Sequence, residues 1–123
     1  MTDLERGSLS ISDDVIATYL SEAVLSTDGV YDLYAGFSDT LSKSFLGKDS
    51  IYRGLKIVKD DEGYEIDVYI IVCFGVKIPE IAWNVQKNSI NRLESVMDID
   101  IKNVNIHIQG VSLPKDESTP SDE

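Results

Sequence analysis

Two periodicities alternate along this chain. Between Ser12 and about Thr27 the apolar residues Val15, Ile16, Tyr19, Leu20 and Ala23 recur at helical spacing and define one face to bury. Ser12 is placed to cap a free amide, and Asp13 and Asp14 favour the positive end of the helix dipole. Asp28-Gly29 stops the helix. The period then falls to two: Val30 to Ala35 reads as a strand, with Gly7 to Ile11 ahead of the helix as a short partner strand. Leu55 and Ile57 alternate with Lys56. After the turn Asp60-Asp61-Glu62-Gly63 a long strand puts Tyr64, Ile66, Val68, Ile70, Val72 and Phe74 on one face, and Glu65, Asp67, Tyr69, Ile71 and Cys73 on the other. These two segments form an antiparallel hairpin.

Helical period returns at Pro79, which suits a first turn because its missing amide proton has no helical partner there. Ile78, Ile81, Ala82, Val85, Ser89, Leu93 and Val96 make the core stripe of this second helix, which ends near Met97-Asp98. A final strand sets Val104, Ile106 and Ile108 against Asn103, Asn105, His107 and Gln109. Strand, helix, strand from Glu65 to Ile108 is a crossover unit, which makes those two strands parallel. With the hairpin added, the expectation is a two-layer α+β domain: a mixed β-sheet with two helices packed on one face and a polar face opposite. The connection from Gly36 to Ser50 holds Phe37, Leu41 and Phe45 at four-residue spacing, with Leu46 alongside. It reads as a short amphipathic helix that either folds over the core or meets a partner or membrane surface.

Length and composition fit one domain. The chain has 123 residues, 42% hydrophobic and 27% charged. The domain is expected over residues 7–113. Pro114 to Glu123, with one lysine against four acids and no apolar side chain, is expected to be a disordered acidic tail. The net charge of -11 has the wrong sign for a phosphate backbone, which argues against nucleic acid as a ligand. The first residues lack a basic start followed by an apolar run, and the most apolar stretch, Val68 to Val76, is too short to span a bilayer as a helix. A cytoplasmic protein with no direct membrane span is expected.

Candidate chemistry is sparse. Cys73 and His107 share the outer sheet face by parity, and a thiol beside a base is the minimum for a nucleophile, yet no third orienting group or oxyanion donor is evident. Asp13-Asp14, Asp60-Asp61-Glu62 and Asp98 with Asp100 lack the graded oxygen spacing of a calcium loop, and helix starts and turns account for them. Neither a Walker loop nor a dinucleotide fingerprint occurs. The expectation is a protein that is not an enzyme and uses no cofactor and no metal.

Two surfaces stand out instead. Trp83, Ile90 and Met97 recur every seven residues on the flank of the second helix, as a seam that packs on the first helix or meets a partner or a second copy. Tyr69, Ile71 and His107 lie on the outer sheet face, for which no unassigned element remains as cover. A homo-oligomer is expected, with the sheet face as the better surface.

IDVYIIVCFGVKIPEIAWNVQKNSI from Ile66 to Ile90, followed by VNIHIQGV from Val104 to Val111, resembles the alkaline shock protein family of small bacterial envelope-stress proteins. GSLSISDDVIATYLSEAV from Gly7, DGVYDLYAG from Asp28 and RGLKI from Arg53 are similar to that family's segments in the same order, and the combination is most similar to its YloU-like subgroup. Asp98 departs from the family's usual Gly after the second helix; Asp tolerates the left-handed stop that Gly would favour. Phe74 stands where the family often has Tyr. The resemblance implies a non-enzymatic protein of low-GC Gram-positive bacteria, acting in the envelope stress response and reaching the membrane through an anchoring partner. For the subgroup it also implies an alternative, a small-molecule or lipid-responsive accessory module of a fatty acid kinase. The family supplies no catalytic or metal residues to carry over.

Overall fold

The computed structural model describes residues 6–36 and 49–114. Two helices and five strands follow there in the order α1 (Asp13–Leu25), β1 (Val30–Leu33), β2 (Asp49–Tyr52), β3 (Leu55–Asp60), β4 (Gly63–Cys73), α2 (Ile78–Met97) and β5 (Ile101–Ser112). Phe37 to Leu46, expected as an amphipathic helix, and the acidic tail from Lys115 onward lie outside the described residues.

β4 is the centre of a mixed sheet. β3 runs antiparallel to it from Leu55 opposite Val68 to Asp60 opposite Gly63, and β2 pairs the far side of β3. β1 is antiparallel to the later part of β4, with Val30 opposite Val72 and Leu33 opposite Ile70. β1 and β3 share one edge of β4, because the Tyr69 amide donates to Gly54 O at 2.8 Å while Tyr69 O accepts from the Tyr34 amide at 2.9 Å. β5 takes the opposite edge, parallel to β4, from Tyr64 opposite Ile101 to Cys73 opposite Ser112.

Gly54 makes the junction possible. It closes the two-residue turn between β2 and β3 at φ 69°, and a Cβ there would stand 2.9 Å from both Leu33 Cβ and Tyr69 O. At the other hairpin Asp60 pairs with Gly63, leaving Asp61 and Glu62 as the loop. The Glu62 amide donates to Asp60 Oδ1 at 2.8 Å, and Gly63 supplies a φ of 128°.

Both helices pack on the face made by Ile66, Val68, Ile70 and Val72, all fully buried. Each such side chain stabilises the fold by about 1.5–3 kcal/mol. Ser12 caps α1, its side chain accepting from the Val15 amide at 3.4 Å. The buried side of α1 is Ile16, Ala17, Leu20, Ala23 and Val24, whereas Val15 and Tyr19, expected inside, are exposed. The buried face is thus turned towards Ala17 and Val24. Asn88 Nδ2 donates to Thr27 Oγ1 at 2.9 Å, and Arg92 pairs with Glu22, so the end of α1 is fastened to α2. Asp98 stops α2 in the left-handed conformation, φ 57° and ψ 45°, as the departure from Gly required.

Other expectations are corrected. Gly7 to Ile11 forms no strand and pairs with none of the described strands. Phe74 does not share the buried face: β4 ends at Cys73, Gly75 turns the chain at φ 90°, and Phe74 is 60% exposed.

Candidate functional site

The parallel register of β4 and β5 assembles the outer face. Glu65 lies opposite Asn103, Asp67 opposite Asn105 and Tyr69 opposite His107. The rings of Tyr69 and His107 stack, with centroids 4.4 Å apart and planes 12° from parallel. His107 Nε2 lies 2.9 Å from Asp67 Oδ1, the same oxygen that accepts from Asn105 Nδ2 at 3.2 Å. The Asn105 amide also donates to Glu65 Oε2 at 3.0 Å. A ladder of polar contacts therefore holds the two strands together on the side away from the helices.

Tyr69 is the apolar centre of this surface. Burial, and secondly the nearby Asp67 carboxylate, push its hydroxyl above the ordinary tyrosine range, so it stays protonated. Ile71 is half-buried beside it. Its neighbour on β5 is Gly110, which carries no side chain to cover it. On the β1 side Arg53 pairs with Asp32 at 3.0 Å. At the start of the strands Lys102 Nζ lies 2.6 Å from Asp60 Oδ2 and within 3.8 Å of both Glu62 and Glu65. The hydrogen bond from Lys102, reinforced by the Glu62 amide, holds the Asp60 carboxyl below the usual carboxylate range, and the same bond raises the Lys102 ammonium.

The outer-face residues Tyr69, Ile71 and His107 thus fall in one patch. Trp83, Ile90 and Met97, the seam on the flank of the second helix, differ in exposure. Trp83 is 57% exposed, with Lys87 Nζ 4.6 Å from its ring centre. Ile90 is half-buried against the core, and Met97, 7% exposed, is part of the core itself. The buried row on α2 is Ile81, Val85, Ser89, Leu93 and Met97, one long four-residue row in place of a final step of three to Val96. Four-residue rows run obliquely to the helix axis, so a helix lying across a sheet follows one of them into the core.

Cys73 and His107 are not brought together. Cys73 lies opposite Ser112, four residues along β4 from Tyr69, or about 13 Å at strand spacing. The carboxylate partner of His107 is Asp67. Among the described residues no group of three or more His, Cys, Asp or Glu side chains converges as metal ligands. Asp14 instead accepts from the Tyr52 hydroxyl at 2.6 Å, and Asp98 serves the helix stop. The sequence reading missed Asp67 and Asn105 as the groups that orient His107. Their alternation on two parallel strands was visible; the register that makes them neighbours was not. It also missed an open groove of about 1110 Å³ at the start of the sheet, lined by Leu9, Ile11, Tyr64, Val96 and Ile99 among others.

No helix among the described residues is long and apolar enough to cross a membrane. No solved structure gives a significant match to the chain. Curated relatives do. The chain is 35% identical over 109 residues to the uncharacterized protein YqhY of Bacillus subtilis (strain 168), covering 89% of this chain and 80% of that one. It is 33% identical over 107 residues to the uncharacterized protein YloU of the same strain, covering 85% and 88%. Those two identities are nearly equal, so the comparison does not single out the YloU-like subgroup. A stress response regulator gls24 homolog of Streptococcus pyogenes serotype M3 is 21% identical over 108 residues, covering 88% of this chain and 60% of that protein. The profile of a family described as having a cell envelope-related function matches residues 1–113. With that span matched, the chain belongs to the alkaline shock protein 23 family.

Proposed function

We propose that this protein serves the envelope stress response as a non-enzymatic interaction module, which self-associates and docks through the outer face of β4 and β5 onto a membrane-anchored or metabolic partner. The observation that carries this reading is the placement of both helices on one side of the sheet. The other side is left with Tyr69, Ile71 and His107 in one half-buried patch and no described element over it. Such a patch has the anatomy of an interface centre: an aromatic pair and an aliphatic side chain, ringed by polar and charged groups such as Asp67, Asn105, Arg53 and Asp32. Its mechanism is surface complementarity, with the Asp67 contact fixing the His107 ring so that little side-chain entropy is lost on docking.

Pull-downs from native lysate with the wild type and with Ile71→Glu, read by mass spectrometry, test the reading. A specific membrane anchor or metabolic enzyme should be retained by the wild type and lost with the variant, while thermal unfolding of the variant stays close to wild type. Equal recovery on both proteins would sink this face as the docking surface.

A further inference from the structure

We propose that the free edge of β5 pairs antiparallel with β5 of a second copy, centred on Ile106, joining two sheets into one continuous sheet. This contact is the self-association put forward above, given a place in the fold.

Among the described strands β5 pairs with β4 alone. Among the described residues Gln86 is the one side chain bonded to its backbone, Nε2 donating to Val104 O at 3.0 Å. Beyond that point the outer edge presents amides and carbonyls with no partner in the described chain, a template for another strand. The apolar row of β5 is also incompletely covered. Ile106 and Ile108 pack against the core but are only partly buried, whereas Ile66, Val68 and Ile70 beside them on β4 are fully buried. A strand laid along the edge covers what α2 leaves wet.

The order of residues favours a copy of the same strand. Reversed about Ile106, Val104 meets Ile108, Asn105 meets His107 and Asn103 meets Gln109. Apolar therefore faces apolar and polar faces polar, which is the requirement of an isologous two-fold contact. The Gln86 bond at Val104 and the register shift between Ile70 and Ile71, opposite Ile108 and Gly110, bound the paired stretch at its two ends.

Charge points the same way. In a chain of net charge -11, β5 carries Lys102 and no acid. Edge pairing holds β4 of one copy three strand spacings from β4 of the other, about 14 Å, beyond the Debye length of about 8 Å at physiological salt. Glu65 and Asp67 are then kept from their images. Face-to-face stacking of the outer faces would set those carboxylates against each other. The edge dimer also leaves both Tyr69 and His107 patches open on one surface, so a partner can be held by two sites at once.

The test uses the full chain in a Cys73→Ser background. Asn105→Cys protein mixed with His107→Cys protein should give a disulfide-linked heterodimer on mild oxidation, several-fold more than either protein alone. Sedimentation should show a wild-type dimer whose affinity changes little between low and moderate salt. Hydrogen exchange at Ile106 and Ile108 should slow as protein concentration rises, a readout that needs no substitution. A wild type that stays monomeric at high micromolar concentration in both salts overturns the proposal. So does a dimer that Ile71→Glu dissociates and that gives no 105–107 crosslink, an outcome that leaves self-association standing through the outer face.

Discussion

Replacing Gly54 with Ala should be costly to this fold, because one added atom crowds two strands of the sheet at once. Gly54 holds φ 69°, where an alanine is disfavoured by about 1–2 kcal/mol. Its new Cβ would lie 2.9 Å from Leu33 Cβ on β1, 2.9 Å from Tyr69 O on β4 and 3.1 Å from the Tyr34 amide nitrogen. Two of those atoms are backbone and cannot rotate away, so the junction must open, at about 1–3 kcal/mol for overpacking. Against this, Ala reduces the freedom of the unfolded chain and returns roughly 0.4–1 kcal/mol. The net loss is about 1–5 kcal/mol, centred near 3, a large part of the roughly 5–15 kcal/mol that holds a domain together. In urea, with a slope of about 1–3 kcal/mol per M, the midpoint should fall by on the order of 1–2 M. Gly7→Ala is the matched control, since a Cβ there meets nothing within 4 Å and its backbone is not left-handed. A loss below about 1 kcal/mol at Gly54, with an unchanged slope, would refute the claim that the meeting of β1 and β3 on β4 depends on a missing side chain.

Ser89 is fully buried in the core row of α2 and among the described residues its hydroxyl has no hydrogen-bond partner, so Ser89→Ala should stabilise by about 1 kcal/mol; calorimetry should show a rise on the order of 4 °C, and a fall would mean the hydroxyl is satisfied. Cys73→Ala should complement a deletion strain as well as wild type, because the register sets His107 opposite Tyr69 and not opposite Cys73; failure with normal folding would reopen an enzymatic role. Asp60 should titrate below the ordinary carboxylate value of 3.8 and return towards it in Lys102→Met, read by carboxyl carbon shifts. The folded value is the lower one, so the stability from this pair is present above the unfolded pKa and is lost as pH falls through the folded one. For Lys102, raised above 10.5, the sign reverses: its contribution is present at neutral pH and is lost as pH rises through the folded value.

Much of this architecture was legible because local signals agreed with one another. The period-two run from Tyr64, the Asp60 to Gly63 turn, Pro79 in the first turn of α2 and Asp98 at its stop each name an element without reference to the rest of the chain. What could not be read depends on contacts distant in sequence. β2 is four residues, Asp49 to Tyr52, too short for a period, and it exists because β3 pairs with it. Leu9 and Ile11 alternate like a strand but pair with no described strand. Val15 suits the core side of α1 by spacing, yet Ala17 is the residue that is buried, which only the packing of the helix on the sheet decides. At the site, parity placed Tyr69, Ile71 and His107 on one face, yet the stack and the Asp67 bond follow from a parallel register that carries no turn to set it.

That register also explains why lesions in this protein should separate cleanly. Along β4, even-numbered positions from Tyr64 to Val72 are buried under the helices, and odd-numbered positions from Glu65 to Cys73 face outward, half-buried. A single substitution on this strand cannot mix the two, because a strand gives each side chain to one face only. Changes at Ile66 or Val72 should therefore act through stability, while changes at Ile71 should act through partners with little effect on unfolding. β5 adds a third role, since its edge lies in the plane of the sheet and belongs to neither face. Ile71→Glu and a blocked β5 edge should consequently combine additively in stability yet compound in binding, because in the proposed dimer the edge sets how many outer-face patches a partner meets and Ile71 sets how well each one fits.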